Sequence, residues 1–275
     1  MLSKSSSQHD LTGKIMVIDL SYLIHRSYKT SNNPESFPHP DAASNITLKT
    51  INRLKFELNP REVVVALESG HDHRTAIIED YKNREEKDGL LVEEIDKAIE
   101  LAMQAGCVAA YAENLEADDV MATYGVQHGL DCIIVTSDKD LHQLAGVCHL
   151  YDPYKRGVVT EEGVFERWGV SPHQLGDMLA MNGDKADCIP GIPKIGPKTA
   201  AALLKEHRTL HGILAVAEQM AEETGKKVWR SIADHQDHAR KSRSVVQLIT
   251  NAEIKFATEE HMPWSESRTR LTNQT

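Results

Sequence analysis

No hydrophobic run in the 275 residues approaches the roughly 18 that a membrane-spanning helix needs, and the polar start MLSKSSSQHD lacks a signal-peptide core. A cytosolic protein that does not enter membranes is expected. Cysteine is sparse: Cys107, Cys132, Cys148 and Cys188 form no CxxC spacing and stand in apolar or tightly turned contexts, so reduced structural thiols are expected. No Ser-His-Asp or Cys-His arrangement is evident, and the 14 histidines are scattered. His71 and His73 in SGHDHR, spaced H-x-H, have no soft ligands nearby and read as a solvated loop. Excess positive charge is missing as well, since 31 Lys and Arg against 41 Asp and Glu give a net charge of −10. Taken alone, that balance speaks against a nucleic-acid partner.

What the chain does have is acid in particular places. Asp19, Glu68, Glu116, Asp118, Asp119, Asp138, Asp140, Asp184 and Asp187 supply much of the negative charge. Carboxylates gathered in one cleft repel one another and take up protons unless divalent cations compensate them. A set made only of oxygen donors suits hard ions, with Mg²⁺ the default and Mn²⁺ a substitute. Two such ions about 4 Å apart could activate water, hold a scissile phosphate and stabilise the leaving oxygen. Local positive charge, at Arg74 to Lys87 and at Lys194 to Arg208, would flank this acidic centre.

The first two-thirds alternate β-branched runs with helical stretches, as an α/β domain with a largely parallel sheet does. Expected strands are Ile15 to Asp19, Val63 to Leu67, Val108 to Ala112 and Cys132 to Thr136; expected helices are Ala42 to Phe56, Val92 to Gln104 and Ala117 to Gly129. Asp19, Glu68 and Asp138 then fall at or just past strand C-termini, the ligand-binding edge of an open parallel sheet. Residues 147 to 160 read as a β-hairpin turning near Asp152 to Gly157. After about residue 170 strand signals nearly vanish. The expected division is a catalytic domain at 12–170 and a helical domain at 171–259, each with its own core, with flexible tails at 1–11 and 260–275.

Each motif also has an ordinary reading. Acids in the first turn after Glu116 can cap free N–H groups, and Asp19 can cap the helix starting near Ser21. A phosphatase of the haloacid dehalogenase type would need a second acid where Ser21 stands. Asp138 and Asp140 in TSDKD can form a solvated turn. Asp184 and Asp187 in GDKAD have helical i, i+3 spacing and can lie on one surface face. PGIPKIGPKTA, from Pro190 to Ala200, has the form of a helix-hairpin-helix. Gly191 and Gly196 would permit its sharp path, Ile192 and Ile195 would pack inside it, and Pro197 suits the first turn of the next helix. Free N–H groups there, including Thr199, could grip a phosphate beside Lys194 and Lys198, reading backbone and not bases. A purely structural turn is the alternative.

MVID, HRTAIIEDYKNR, LEADDVMATY, VTSDKDLHQL and GDKADCIPGIPKIGPKTAAALL occur in that order, from about Gly13 to about Ile249. Together they resemble the 5′ nuclease, or flap endonuclease, family of bacterial and phage 5′-to-3′ exonucleases and the 5′ nuclease domain of DNA polymerase I. The resemblance implies a PIN-like sheet domain followed by a helical domain with the hairpin, acting on DNA with 5′ ends, flaps or junctions, and on RNA in hybrids as a further option. It implies that Asp19, Glu68, Glu116 and Asp118 hold a first metal, that Asp119 lies between two sites, and that Asp138, Asp140, Asp184 and Asp187 surround a second. Arg74, Lys82 and Arg84 match gateway positions at the active site, where Lys82 would stabilise charge on the scissile phosphate. K⁺ at the hairpin, near Gly191 to Ile195, and a monomeric state are further implications. Glu68 stands where the family usually has Asp, and Leu20 where it often has Gly. Other readings are a branched-DNA-binding protein that has lost catalysis, against which the full acidic set speaks, and a PIN-type ribonuclease, which would lack both the hairpin and the YKNR segment.

Overall fold

The computed structural model describes residues 10–31, 41–82 and 89–258. Its centre is a seven-stranded sheet: β1 (Ile15–Asp19), β2 (Glu62–Ala66), β3 (Val108–Tyr111), β4 (Cys132–Val135), β5 (His149–Asp152), β6 (Gly157–Val159) and β7 (Lys255–Phe256). The spatial order is β6-β5-β4-β1-β2-β3-β7, with β1 to β5 parallel and the two edge strands antiparallel. The hairpin expected over 147–160 is the β5–β6 pair.

Parallel strands buried on both faces need apolar residues throughout, and β1, IMVID, is buried at all five positions. Its alternation sorts the core: Ile15 and Val17 join one hydrophobic cluster, Met16 and Ile18 the other. The second cluster is closed by α1 (Leu20–Ser31), α2 (Ala42–Leu58) and α4 (Gly89–Gln104), through Leu23, Ile24, Ile51, Leu54 and Ile99. A one-turn α3 (Asp72–Thr75) intervenes before α4. Leu11 is buried in this same cluster, so the packed chain begins before residue 12, whereas 1–9 and 259–275 lie outside the described residues.

The other face receives α5 (Ala117–His128), which is buried almost all round; a Cβ on Gly125 would lie 3.0 Å from Cys148 Sγ and from Ile134 Cδ1, so any larger residue there would have to push these side chains aside. Beyond it stand α6 (Glu161–Trp168), α7 (Pro172–Asn182), α8 (Pro197–His207), α9 (Leu210–Thr224), α10 (Lys227–Asp234) and α11 (Gln236–Val246). Their apolar residues, including Met178, Leu204, Ile213, Trp229 and Val245, belong to the cluster that also holds Val17, Ile134 and Val120. Two separate cores were expected; the sheet and the C-terminal helices share one. The chain also regains a strand after the helices, because β7 pairs with β3 at Ala110–Phe256 and Tyr111–Lys255. Two residues are too few for a periodic signal.

Candidate active site

Strand order fixes where the acids meet. After β1 the chain builds β2 and β3 on one side and then returns to place β4 on the other, so the crevice at the C-terminal ends of β1 and β4 is a topological switch point. In register, Asp19 lies opposite Ala66 of β2, and Ile18 opposite Val135 of β4. Asp19 is buried; its Oδ1 accepts the Tyr22 N–H at 2.9 Å and its Oδ2 the Thr136 hydroxyl at 3.1 Å. It therefore caps α1, as the ordinary reading had it, while also facing the strand-end acids.

Glu68 follows β2. Leu67 N–H donates to Ala110 O at 2.9 Å, Ser69 N–H to Leu115 O at 3.0 Å, and Asn114 N–H to the Ser69 hydroxyl at 3.2 Å, which sew the post-β2 and post-β3 loops together. Gly70, with φ +148°, makes this approach possible, since a Cβ there would stand 3.2 Å from Asn114 Cα. Glu68, His71 and Glu116 consequently bring one donor atom each within 4.8 Å of one another. His71 and His73 are not a solvated loop. Both are partly buried at the start of α3, with Nδ1 atoms enclosed and lacking a hydrogen-bond partner.

Glu116 is the N-cap residue of α5, yet its side chain makes no cap bond. Its Oε2 accepts from Arg74 at 2.6 Å and from the Tyr81 hydroxyl at 2.9 Å, and its Oε1 accepts from the Lys82 ammonium. Arg74 is only 3% exposed, so it is a buried charge and not a solvent-facing one. It grips Asp119 with two N–H bonds of 2.7 and 2.8 Å and reaches Val245 O at 2.9 Å. Asp119 is fully buried and also accepts the Ile249 N–H at 2.9 Å, so its oxygens are committed to Arg74 and the C-terminal segment. Lys82 N–H meets Asp187 O at 3.2 Å. Arg84 lies outside the described residues.

Asp138 and Asp140 occupy the turn after β4, where Asp138 Oδ1 accepts the Asp140 N–H at 2.9 Å. Asp184 and Asp187 are not on a helix: α7 ends at Asn182, and Asp184 pairs with Ile189 in an antiparallel bridge around a tight turn. Lys139, whose part the sequence did not reveal, joins the two motifs by pairing with Asp184 at 2.5 Å and Asp140 at 3.7 Å. The only signal was a lysine set between two aspartates.

The electrostatics are those of a charge excess. Burial first, then Asp138, pushes Asp19 up to about 7 against the opposing Tyr22 hydrogen bond. Burial and Asp138 likewise push Asp140 up to about 7. Asp118 is raised well above the ordinary carboxylate range by burial and by Asp138 and Asp19. Asp140 Oδ1 is enclosed without a hydrogen-bond partner. A buried all-oxygen set, one of whose oxygens has an ion pair at 3.7 Å but no hydrogen bond, fits hard divalent cations. The sign of the linkage gives a test. Carboxylates whose folded values are raised stabilise the metal-free fold fully below about pH 4, and that contribution is lost as pH rises through about 7. Melts in EDTA should therefore show a lower Tm at about pH 8 than at about pH 5.5, with Mn²⁺ or Mg²⁺ restoring it at the higher pH; a Tm at about pH 8 that neither metal raises would contradict the clustering.

The hairpin between α7 and α8 is held by backbone. Ile192 N–H donates to Met181 O at 2.8 Å, and Ile192 and Ile195 are buried as expected. Gly191, at φ +62°, meets Gly183, at φ +73°: a Cβ on Gly191 would be 2.5 Å from Gly183 N. Gly196 has an ordinary φ of −100° and open space around it, so it is Gly183, not Gly196, that the sharp path requires. Gly196 is instead the N-cap residue of α8, with Pro197 in its first turn. Lys194 and Lys198 are exposed and Thr199 is partly so.

Comparison with known proteins agrees with this geometry. A family model described as "5'-3' exonuclease, N-terminal resolvase-like domain" matches residues 14–169, and one described as "5'-3' exonuclease, C-terminal SAM fold" matches 170–269. DNA polymerase I of Bacillus caldotenax is 29% identical across 94% of this chain, which spans only 30% of that relative's length. The 5'-3' exonuclease of Buchnera aphidicola (subsp. Schizaphis graminum) is 32% identical, with 72% of each chain covered. Among solved structures, the bacteriophage T5 D15 flap endonuclease (D155K), a pseudo-enzyme-product complex with DNA and metal ions, superposes with a TM-score of 0.71 at 19% identity, covering 86% of this chain and 89% of that one. With a resolvase-like sheet, a SAM-like helical part and these matches, the chain belongs to the 5'-3' exonuclease family.

Proposed function

We propose that the chain is a structure-specific 5′ nuclease that hydrolyses DNA phosphodiester bonds near single-strand/double-strand junctions with divalent-metal assistance. The observation that carries this is the convergence of Asp19, Asp118, Asp138 and Asp140 at one sheet edge, each buried or partly buried, with Asp19, Asp118 and Asp140 raised toward protonation by burial first and by neighbouring carboxylates second. Asp19, Glu68, Glu116 and Asp118 would hold one ion, and Asp138, Asp140, Asp184 and Asp187 a second; Asp119, spoken for by Arg74, is left out of the set. Bound Mg²⁺, or Mn²⁺ in its place, would supply Lewis-acid polarisation of water and neutralise phosphate charge.

The protein's own groups do the rest. Lys82 is raised above the ordinary lysine range because Glu116 and Glu68 outweigh the cost of burial, so it stays cationic and can face the charge developing on a phosphate. Arg84 is proposed beside it from its motif alone. Arg74 is assigned a positioning part, holding Glu116 at the cleft. Gly191, Gly196, Lys194, Lys198 and Thr199 would grip the duplex backbone, and carbonyls of Gly191 to Ile195 would take K⁺. Contacts to backbone admit RNA in a hybrid. We further infer a catalytic part at 12–170 and a helical part at 171–259, a monomer, and work in the cytoplasm; among the described residues no helix is long and apolar enough to cross a membrane.

The direct test is a 5′-flap duplex incubated with the protein and Mg²⁺. Cutting near the junction, leaving 5′-phosphate and 3′-hydroxyl ends and stopped by EDTA, is expected. Undiminished cutting in excess chelator would end the metal-dependent reading.

A further inference from the structure

The acidic centre contains one nitrogen donor that an all-carboxylate account leaves unused. His71 is the N-cap residue of α3, and its carbonyl accepts the Arg74 and Thr75 N–H groups at 2.9 and 3.1 Å, so its backbone is fixed. Its ring stands edge-on to Tyr81, with centroids 5.7 Å apart at 70°. Nδ1 is enclosed by protein and has no hydrogen-bond partner. An enclosed polar nitrogen without a partner is costly, and a cation is one way to satisfy it. One ring nitrogen of His71 and one carboxylate oxygen each of Glu68 and Glu116 fall within 4.8 Å of one another.

We propose that His71 is a metal ligand, completing with Glu68 and Glu116 a mixed nitrogen–oxygen site at the first-ion position and giving this chain a preference for transition-metal ions such as Mn²⁺ or Co²⁺ over Mg²⁺. The inference rests on the metal-dependent reading above and adds to it the ligand and the ion class. Bonds of about 2.0–2.2 Å put donors around one ion at most about 4.4 Å apart, so the triad needs only a small contraction. Glu68, just past the end of β2, brings its carboxylate within 4.8 Å of the histidine nitrogen. On Glu116, Oε2 remains with Arg74 and Tyr81, leaving Oε1 for the ion. The Lys82 ammonium that Oε1 now accepts from belongs to a long, partly exposed side chain that can swing toward the phosphate. Imidazole favours first-row transition metals, whose affinities rise along the series from Mn²⁺, whereas Mg²⁺ demands oxygen and water.

The test uses the whole chain loaded with Mn²⁺ and read by electron spin-echo modulation, which detects a coordinated ¹⁴N directly, together with calorimetric Mn²⁺ and Mg²⁺ affinities. Nitrogen modulation is expected in the wild type and in His73→Ala and should vanish in His71→Ala, where Mn²⁺ affinity falls about tenfold and Mg²⁺ affinity changes far less. Mn²⁺ bound without nitrogen modulation in the wild type, or modulation persisting in His71→Ala, overturns the assignment while leaving the nuclease reading intact. A protein that binds no Mn²⁺ overturns both. His71→Gln keeps a polar side chain should the alanine variant fold poorly, and it too must lose the nitrogen signal.

Discussion

Asp118→Asn should leave flap DNA bound but uncut, with the cleavage rate lowered about a thousandfold or more, the scale on which a single electrostatic group at a reacting phosphate or acyl centre is lost. The carboxamide is nearly isosteric, so the cleft keeps its shape, but it removes one negative charge from a set in which Asp118, Asp19 and Asp138 oppose one another. The same change should raise the metal-free Tm at about pH 8, because the repulsion it removes acts only when the carboxylates are ionised. Opposite signs in activity and stability are the signature of a functional charge cluster. A double change at the hairpin, Lys194→Ala with Lys198→Ala, should do the reverse, weakening duplex binding and flattening its salt dependence while a bound flap is still cut. Gel-shift titrations across salt concentrations, paired with single-turnover cleavage, separate the two; an Asp118→Asn protein that cuts normally would sink the carboxylate assignment.

Arg74→Ala should be the most destabilising single change at the site. It removes the guanidinium that bridges Asp119 and Glu116, each under 5% exposed, and takes away the donor to Val245 O. Removing one member of a buried ion-pair network costs about 3–5 kcal/mol, or roughly 10 °C for a chain of this size. Lysine should not rescue it, since one ammonium cannot reproduce a planar fork that bonds two carboxylates and a carbonyl. Urea unfolding in EDTA measures the loss without interference from metal; a cost under about 1 kcal/mol would show that the network is slack.

The parts of this fold that the sequence made legible are those that short-range pattern controls. β1, β2 and β4 follow from β-branched runs, and their order places Asp19, Asp138 and Glu68 at one edge before any side chain is seen. Pro197 and Ile192 obey local rules in the hairpin. What escaped depends on chain segments far apart. Arg74 looks like a surface charge until Val245, 171 positions away, closes over it. Asp184 and Asp187 carry helical spacing, yet Gly183 turns the chain before a helix can continue, and its need for a positive φ is set by contact with Gly191. His71 looked solvated because nothing in SGHDHR announces that the loop after β3 will fold over it. β7 is defined by its partner strand and not by its own two residues.

The shared packing between the sheet and the later helices has one more consequence. With Val17 and Ile134 of the sheet in the same hydrophobic body as Leu204 of α8 and Ile213 of α9, the hairpin and the carboxylates are points on a single solid. Under the nuclease reading, the number of nucleotides between grip and cut is then a dimension of the protein, machined into its interior like the gap of a caliper.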